Sequence, residues 1–207
     1  MVVRWNIAVV VALCLAPALQ GQAPFDFKDF SATMSGALSG PNFETKVYRK
    51  GDLVRVDMPG HYIVTDVNTL TSYGYFPRTN SCLENSAPQS GSMPFSMLKD
   101  AKIEHVPAGE EVVEGHPCKV EDVTIEHESR PPIKLKVWEA QDLKGFPIKI
   151  VRESRIVPAP SRTLLYRDVQ LGPQDSSLFF RPERCDQAPD APAYLQSPPA
   201  PNGGLPK

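Results

Sequence analysis

The sequence predicts a mainly β fold in which one antiparallel meander curves into a barrel or half-barrel. Short segments that alternate apolar and polar residues recur along the middle of the chain, with turn residues between them. The 207 residues include 22 prolines, which break helix interiors and central strands and therefore favour turns, edge strands and tails. Because hydrophobic residues make up 41% of the chain, it can build a core despite this proline content.

The first half of the meander is predicted to contain six strands. Val54, Val56 and Met58 lie on one face of their segment, as expected of a half-buried strand. Tight-turn residues separate neighbouring segments, for example at positions 50–52 and 59–60. The six predicted strands cover residues 30–37, 43–49, 53–58, 61–67, 71–76 and 79–83.

A short helix and five further strands are predicted in the second half. Ser92 is a candidate N-cap and Pro94 lies in the first turn of a helix over residues 93–98. The strands that follow cover residues 102–106, 118–127, 134–140, 146–156 and 163–171. Residues 142–145 are predicted to connect two of them as a hairpin. Prolines are predicted to mark turns at Pro59, Pro77, Pro107 and Pro131–Pro132.

The two ends of the chain differ in composition from the middle. Residues 1–23 are typical of a secretory signal, because a positive start precedes an apolar stretch too short to span a membrane. Cleavage after Ala18 and cleavage after Ala23 both remain open. We expect export to the periplasm or beyond, an ordered domain over residues 24–186, and a disordered proline-rich tail over residues 187–207.

Charge and motifs argue against several classes of function. A formal net charge of −2 and a pI of about 6.1 argue against a nucleic-acid-binding protein, which needs a basic field. The sequence has no nucleophile elbow, phosphate-binding loop, dinucleotide fingerprint or zinc-protease motif. His116 and Cys118 are two residues of metal-ligand type, but further ligands are not evident from the sequence. We therefore expect no enzymatic activity, no cofactor and no metal site.

Three cysteines and one tryptophan of the exported chain are candidate functional or structural residues. In an oxidising compartment, two of the three cysteines are expected to form a structural disulfide. The sequence leaves open which two of Cys82, Cys118 and Cys185 pair. Trp138 lies on a clearly alternating strand, where it either lines a ligand cavity or packs against its neighbours.

Four stretches, taken in order, resemble the LolA/LolB family of periplasmic lipoprotein carriers, and more closely their uncharacterised LolA-like relatives in bacterial envelopes. They are similar to the family's strand, basic turn and strand, to its next hairpin, to its Pro-Phe lid helix and to its closing Phe-x-x-Pro segment. The long amphipathic helix with which the carriers begin is missing or reduced, because only residues 25–30 precede the first strand. The four stretches are residues 47–56, 63–77, 93–98 and 177–182.

The resemblance implies a curved antiparallel half-barrel with one or more short lid helices and an apolar concave face that receives acyl chains. By position in the family's motifs, Arg49 or Lys50 links the lid to the barrel, and Ile63 and Phe95 contribute to the ligand-binding region, with Trp138 as a further candidate. The implied function is that of an exported, non-enzymatic, monomeric protein that binds an acyl chain, a lipoprotein or another apolar ligand. The alternative is a protein-interaction or envelope-sensor domain whose curved sheet docks a protein partner without lipid transport.

Overall fold

The computed structural model describes residues 25, 27–36, 44–85, 95, 98, 100–128, 130–152 and 162–187. The predicted signal segment 1–23 and nearly all of the predicted tail 187–207 lie outside these residues. The predicted helix over residues 93–98 is described only at Phe95 and Leu98. Elsewhere in the described part of the chain, helical structure is limited to the 3-10 segments Gln141–Leu143 and Ser176–Phe179.

One curved, unclosed sheet forms most of the described part of the chain, and the predicted mainly β class is therefore confirmed. The order of its strands is β12-β6-β5-β4-β3-β2-β1-β11-β10-β9-β8-β7. Two antiparallel meanders, β1 to β6 and β7 to β11, join where β1 pairs with β11. The strands are β1 (Asp29–Ser35), β2 (Glu44–Lys50), β3 (Leu53–Met58), β4 (His61–Asp66), β5 (Thr71–Phe76), β6 (Ser81–Asn85), β7 (Lys102–Val113), β8 (His116–His127), β9 (Arg130–Ala140), β10 (Phe146–Arg152), β11 (Arg162–Leu171) and β12 (Asp186–Gln187).

The predicted strands all occur, with differences at their ends. The strand predicted at 79–83 lies two residues later, and β7 extends to Val113 instead of ending at residue 106. The hairpin over residues 142–145 is also present, and it includes part of the first 3-10 segment. The short strand β12 was not predicted; it pairs with β6 in parallel, the one parallel pair among the described strands.

Two predicted proline turns are wrong. Pro107 lies inside β7, at an irregularity where the pairing with β8 shifts register, and β7 is an edge strand. Pro131 and Pro132 lie inside β9, in the part of that strand that pairs with β8 but precedes Leu135, where its pairing with β10 ends. Proline has no N–H and therefore cannot donate a hydrogen bond to a neighbouring strand. It is tolerated at a sheet edge or a bulge, where the ladder does not require that N–H.

Alternation along the strands gives the sheet two differently packed faces. On the inner face, the rings of Phe30 on β1 and Phe146 on β10 lie 4.9 Å apart between centroids, although β11 separates their strands. Two strand spacings span about 10 Å in a flat sheet. Side chains therefore converge on this face, which is the concave one. It carries the main hydrophobic core, and two smaller apolar clusters lie on the outer face.

Candidate functional site

The middle of the inner face is filled by aromatic side chains. The ring of Phe146 lies 5.2 Å from that of Phe27, 4.9 Å from that of Phe30 and 5.6 Å from that of Tyr166, measured between centroids. Phe30 in turn lies 5.5 Å from Phe95. These edge-to-face and tilted contacts are the preferred geometries of aromatic pairs. The five rings join residues from β1, β10 and β11 to two residues outside the strands.

Arg49 lies at the border of this aromatic cluster, on the inner face of β2. Its side chain is 6% exposed, and its Nη1 donates a hydrogen bond of 3.0 Å to the carbonyl oxygen of Phe25. Its Nε donates one of 3.0 Å to the carbonyl oxygen of Gly51, and its Cζ lies 4.8 Å from the ring centroid of Phe95. Burial of a guanidinium is costly unless it is paired in this way. Arg49 therefore ties two residues outside the strands, Phe25 and Phe95, to the sheet.

Lys50 follows Arg49 in the strand and points to the other face. Its Nζ donates a hydrogen bond to the Oγ of Ser176, in the 3-10 segment that covers the outer face. The family resemblance allows either Arg49 or Lys50 as the link between lid and barrel. In the structure, Arg49 lies beside Phe95, and Lys50 lies on the opposite face of the sheet.

Ile63 lies on the inner face of β4, next to the filled part. It is opposite Val56 on β3 and opposite Gly74 on β5. Four apolar side chains on the inner face of strands β3 to β6 are incompletely covered, and the polar side chains of His61, Thr65 and Ser72 lie on the same face. We call these four apolar side chains the apolar row; they are those of Met58, Ile63, Phe76 and Leu83.

Trp138 lies on the outer face, away from Arg49 and Phe95. It packs in a cluster with Val120 and Ile148, and its indole Nε1 donates a hydrogen bond of 2.5 Å to Glu111 Oε2. The Nζ of Lys149 lies 4.1 Å from its ring centroid. Of the two interpretations that the sequence left open, packing against neighbours is therefore the one that the structure supports.

The outer face of strands β3 to β6 is covered by the end of the domain. Tyr62 and Tyr73 donate hydrogen bonds of 3.0 Å from their hydroxyl groups to the carbonyl oxygens of Phe180 and Phe179. Arg55 Nη1 donates one of 2.6 Å to the carbonyl oxygen of Leu178. These tyrosines and Arg55 were not among the predicted site residues, although their alternation along the strands was visible in the sequence. These contacts cover the outer face of the strands, whereas Ile63 and Leu83 on the inner face stay partly exposed.

A disulfide between Cys82 and Cys185 fixes the same covering segment to β6. The third cysteine, Cys118, is a buried free thiol on the outer face, and it donates a hydrogen bond of 3.3 Å to the carbonyl oxygen of His116. Burial raises the pKa of the Cys118 thiol. Cys118 is therefore placed as a packing residue rather than as a reactive one.

Ionisable side chains lie on the inner face of strands β7 to β9. His105 Nδ1 lies 2.6 Å from Glu121 Oε2, and burial, reinforced by the charge of Glu121, raises the pKa of Glu139 to about 7. Lys119 lowers that pKa in part. Ionisable side chains therefore lie beside apolar ones at this end of the inner face.

Neither a metal centre nor a membrane-spanning helix is found in the described residues. No three His, Cys, Asp or Glu side chains among them are grouped so that they could hold a metal ion. The His116 ring, considered for this role from the sequence, has its Nδ1 2.8 Å from Asp142 Oδ2. The described helical segments include none long and apolar enough to cross a membrane.

No protein-family model matches the sequence, and neither does any curated protein. Similar solved structures include a LolA superfamily protein from Nitrosomonas europaea, with 13% identity, 76% of this chain and 92% of that chain covered and a TM-score of 0.39. A domain from Vibrio parahaemolyticus described as an outer membrane lipoprotein-sorting protein has 12% identity, 75% and 91% coverage and a TM-score of 0.31. A DUF1329 family protein from Desulfovibrio piger has 11% identity, 76% and 91% coverage and a TM-score of 0.35. At these identities and TM-scores, the likenesses carry no argument about the function of this chain.

Proposed function

We propose that the protein is an exported, non-enzymatic, monomeric binding protein whose inner face holds an acyl chain, free or as part of a lipoprotein, or another apolar ligand. The observation that carries this proposal is the apolar row, which continues the buried aromatic core as a strip of incompletely covered side chains. Transfer of one CH₂ group from water to an apolar surface stabilises by about 0.8 kcal/mol, so a long chain gains substantially from such a strip. Apolar sites with few polar groups suit ligands of this kind.

The position of Arg49 supports the same proposal. Phe25 and Phe95 lie outside the strands, and both contact the Arg49 guanidinium. Release of these contacts would uncover the aromatic cluster without breaking a strand pairing, and so would lengthen the apolar surface beside Ile63. In this function, Arg49 links the covering residues to the sheet, and Ile63 and Phe95 contact the ligand.

Export is supported by the disulfide between Cys82 and Cys185, since such bonds persist in oxidising compartments. The N-terminal signal predicted over residues 1–23 agrees with the same location, the periplasm or the cell exterior. An apolar ligand that must cross an aqueous compartment needs a carrier that shields it from water, which a concave apolar face provides.

The test is binding of methyl palmitate to the purified protein, measured by native mass spectrometry. Ile63→Glu places a carboxylate in the apolar row, where desolvation of the charge opposes contact with an alkyl chain. We expect this variant to bind at least ten-fold more weakly than the wild type. Val112→Glu is the matched control, because Val112 is 68% exposed on β7, away from the apolar row. Equal binding by Ile63→Glu and wild type, with both folded, would contradict the assignment of the site.

A second candidate function is that of an interaction or sensor domain that docks a protein partner. The observation in its favour is the aromatic filling of the middle of the inner face, in which Phe30 and Phe146 are fully buried against other side chains. Cross-linking in the native envelope separates the two functions. One stoichiometric protein partner together with absence of bound lipid would favour the interaction domain.

A further inference from the structure

Tyr166 places a hydroxyl group in the centre of the inner face. The residue lies on β11 opposite Met34 of β1, is 0% exposed and belongs to the main apolar core. Its ring contacts Phe146 edge to face, with 5.6 Å between centroids. The hydroxyl therefore lies in surroundings made of aromatic and aliphatic side chains.

This hydroxyl has no hydrogen-bond partner. Within the part of the chain that the structure describes, Tyr166 Oη is the one buried side-chain oxygen or nitrogen left unpaired. Other tyrosines of the sheet differ from it: the hydroxyls of Tyr62 and Tyr73 bind backbone carbonyl oxygens, and that of Tyr75 binds Asn80 at 2.8 Å. Phenylalanine would fill nearly the same volume without an unpaired polar group, whose burial is unfavourable.

The Tyr166 hydroxyl can donate a hydrogen bond, but the structure gives it no acceptor. Burial raises the pKa of Tyr166, so the group stays protonated across the physiological range. An acceptor on an otherwise apolar molecule suits this position, because the core cluster that contains Tyr166 is apolar and the guanidinium of Arg49 at its border already donates hydrogen bonds to two carbonyl oxygens. The carbonyl oxygen of an ester or amide at the head of an alkyl chain meets both conditions.

We propose that Tyr166 is the polar anchor of the inner face and donates a hydrogen bond to the carbonyl oxygen of an acyl ester or acyl amide. This inference rests on the proposed binding of an apolar ligand and adds the chemical class of its head group. The alkyl chain then extends along the apolar row, and the carbonyl reaches Tyr166 through a displacement of Phe27, whose ring contacts Phe146 as the ring of Tyr166 does. Phe27 precedes β1 and contacts Phe146 edge to face at 5.2 Å, so its displacement breaks no pairing of that strand.

Two isosteric probes test the anchor. Methyl palmitate contains a carbonyl group. Methyl hexadecyl ether is the same molecule with a CH₂ group in place of that carbonyl group. Dissociation constants of the full-length exported protein for both are measured by native mass spectrometry, for the wild type and for Tyr166→Phe. Tyr73→Phe is the matched control, because it removes a tyrosine hydroxyl from the outer face of the same sheet.

We expect the wild type to bind the ester about 3- to 10-fold more tightly than the ether, as for one hydrogen bond, and Tyr166→Phe to lose this preference. Tyr73→Phe should keep it. Without ligand, Tyr166→Phe should unfold at a temperature no lower than the wild type, which also shows that the variant folds. Equal binding of ester and ether by the wild type, as when a water molecule alone satisfies Tyr166, would overturn the anchor and leave the proposed function standing. Failure of the wild type to bind either probe would overturn both.

Discussion

The guanidinium carbon of Arg49 lies 4.8 Å from the ring centroid of Phe95, and the same group donates a hydrogen bond to the carbonyl oxygen of Phe25. One buried side chain on β2 thus holds two residues that lie outside the strands and far apart in sequence. Because Phe95 also contacts Phe30 at 5.5 Å, these residues cover the aromatic core of the inner face. Access to that core therefore depends on the contacts of Arg49.

Replacement of Arg49 by methionine keeps most of the side-chain volume and removes the donors. The carbonyl oxygen of Phe25 then loses its partner, and the contact with Phe95 loses its charge. We expect the free energy of unfolding to fall by about 2 to 4 kcal/mol, measured by urea denaturation. Lys46→Met on the same strand is the control, since the Lys46 side chain is largely solvated and should change stability by less than about 0.5 kcal/mol. Equal effects of the two substitutions would contradict a special role of Arg49.

Removal of the disulfide should detach the segment that covers the outer face. Cys82 and Cys185 are 103 residues apart, so their bond constrains a long loop of the unfolded chain. The double variant Cys82→Ala, Cys185→Ala should be about 2 to 4 kcal/mol less stable than the wild type in urea. Proteolysis should then cleave residues 176–187 first. If the double variant unfolded at the same urea concentration as the wild type, the disulfide would contribute nothing to this attachment.

Labelling should distinguish Cys118 from a reactive cysteine. Its thiol is buried and its pKa is raised by that burial, so little thiolate forms near pH 8. We expect iodoacetamide to modify Cys118 only after denaturation of the protein, as followed by intact mass. Rapid modification of the native protein would show that the outer-face cluster around Trp138 opens more readily than its packing indicates.

The hydrogen bonds of the Tyr73 hydroxyl should help to attach the covering segment to the sheet. It donates hydrogen bonds of 3.0 Å to the carbonyl oxygens of Phe179 and Phe180. Tyr73→Phe should lower the free energy of unfolding by about 1 to 2 kcal/mol. Tyr75→Phe removes an exposed hydrogen bond to Asn80 and should cost less than about 0.5 kcal/mol. The reverse order in urea denaturation would contradict the described attachment.

Glu139 should make the stability of the protein depend on pH. Its pKa rises from 4.5 to about 7 on folding, so the folded state holds the proton more tightly than the unfolded state between these values. Stability contributed by the protonated carboxyl is therefore fully present below about pH 4.5 and is lost as the pH rises through 7. The side chain of Glu139→Gln stays neutral at all these pH values. The free energy of unfolding of this variant relative to that of the wild type should therefore increase between pH 4.5 and 7 and stay constant above pH 7. A difference independent of pH would contradict the raised pKa.

The strands were predictable from the sequence because alternation and turn residues are local signals. The pairing of β12 with β6 was not, since two residues carry no periodicity and the Cys82–Cys185 bond that positions them was one of three open pairings. The turns predicted at Pro107 and Pro131–Pro132 failed because sequence alone does not show that these residues lie at an edge or where a neighbouring strand has ended.

The candidate site was only partly visible in the sequence. Arg49, Ile63 and Phe95 could be named from a family resemblance, and the structure places all three on or against the inner face. The outward direction of Trp138 depends on the register of β9 and on a bulge in its pairing with β10. Tyr166 could not be recognised, because an unpaired hydroxyl is a property of its surroundings in the folded sheet and not of any motif.

The most direct test of the central claim is native mass spectrometry of the protein isolated from the cell envelope under mild conditions, followed by release and identification of any bound molecule. Binding on the inner face predicts an added mass that corresponds to an acylated molecule, or, if the protein is isolated empty, uptake of methyl palmitate that Ile63→Glu weakens and Val112→Glu does not. Protein that is consistently empty and also fails to bind methyl palmitate would contradict the claim.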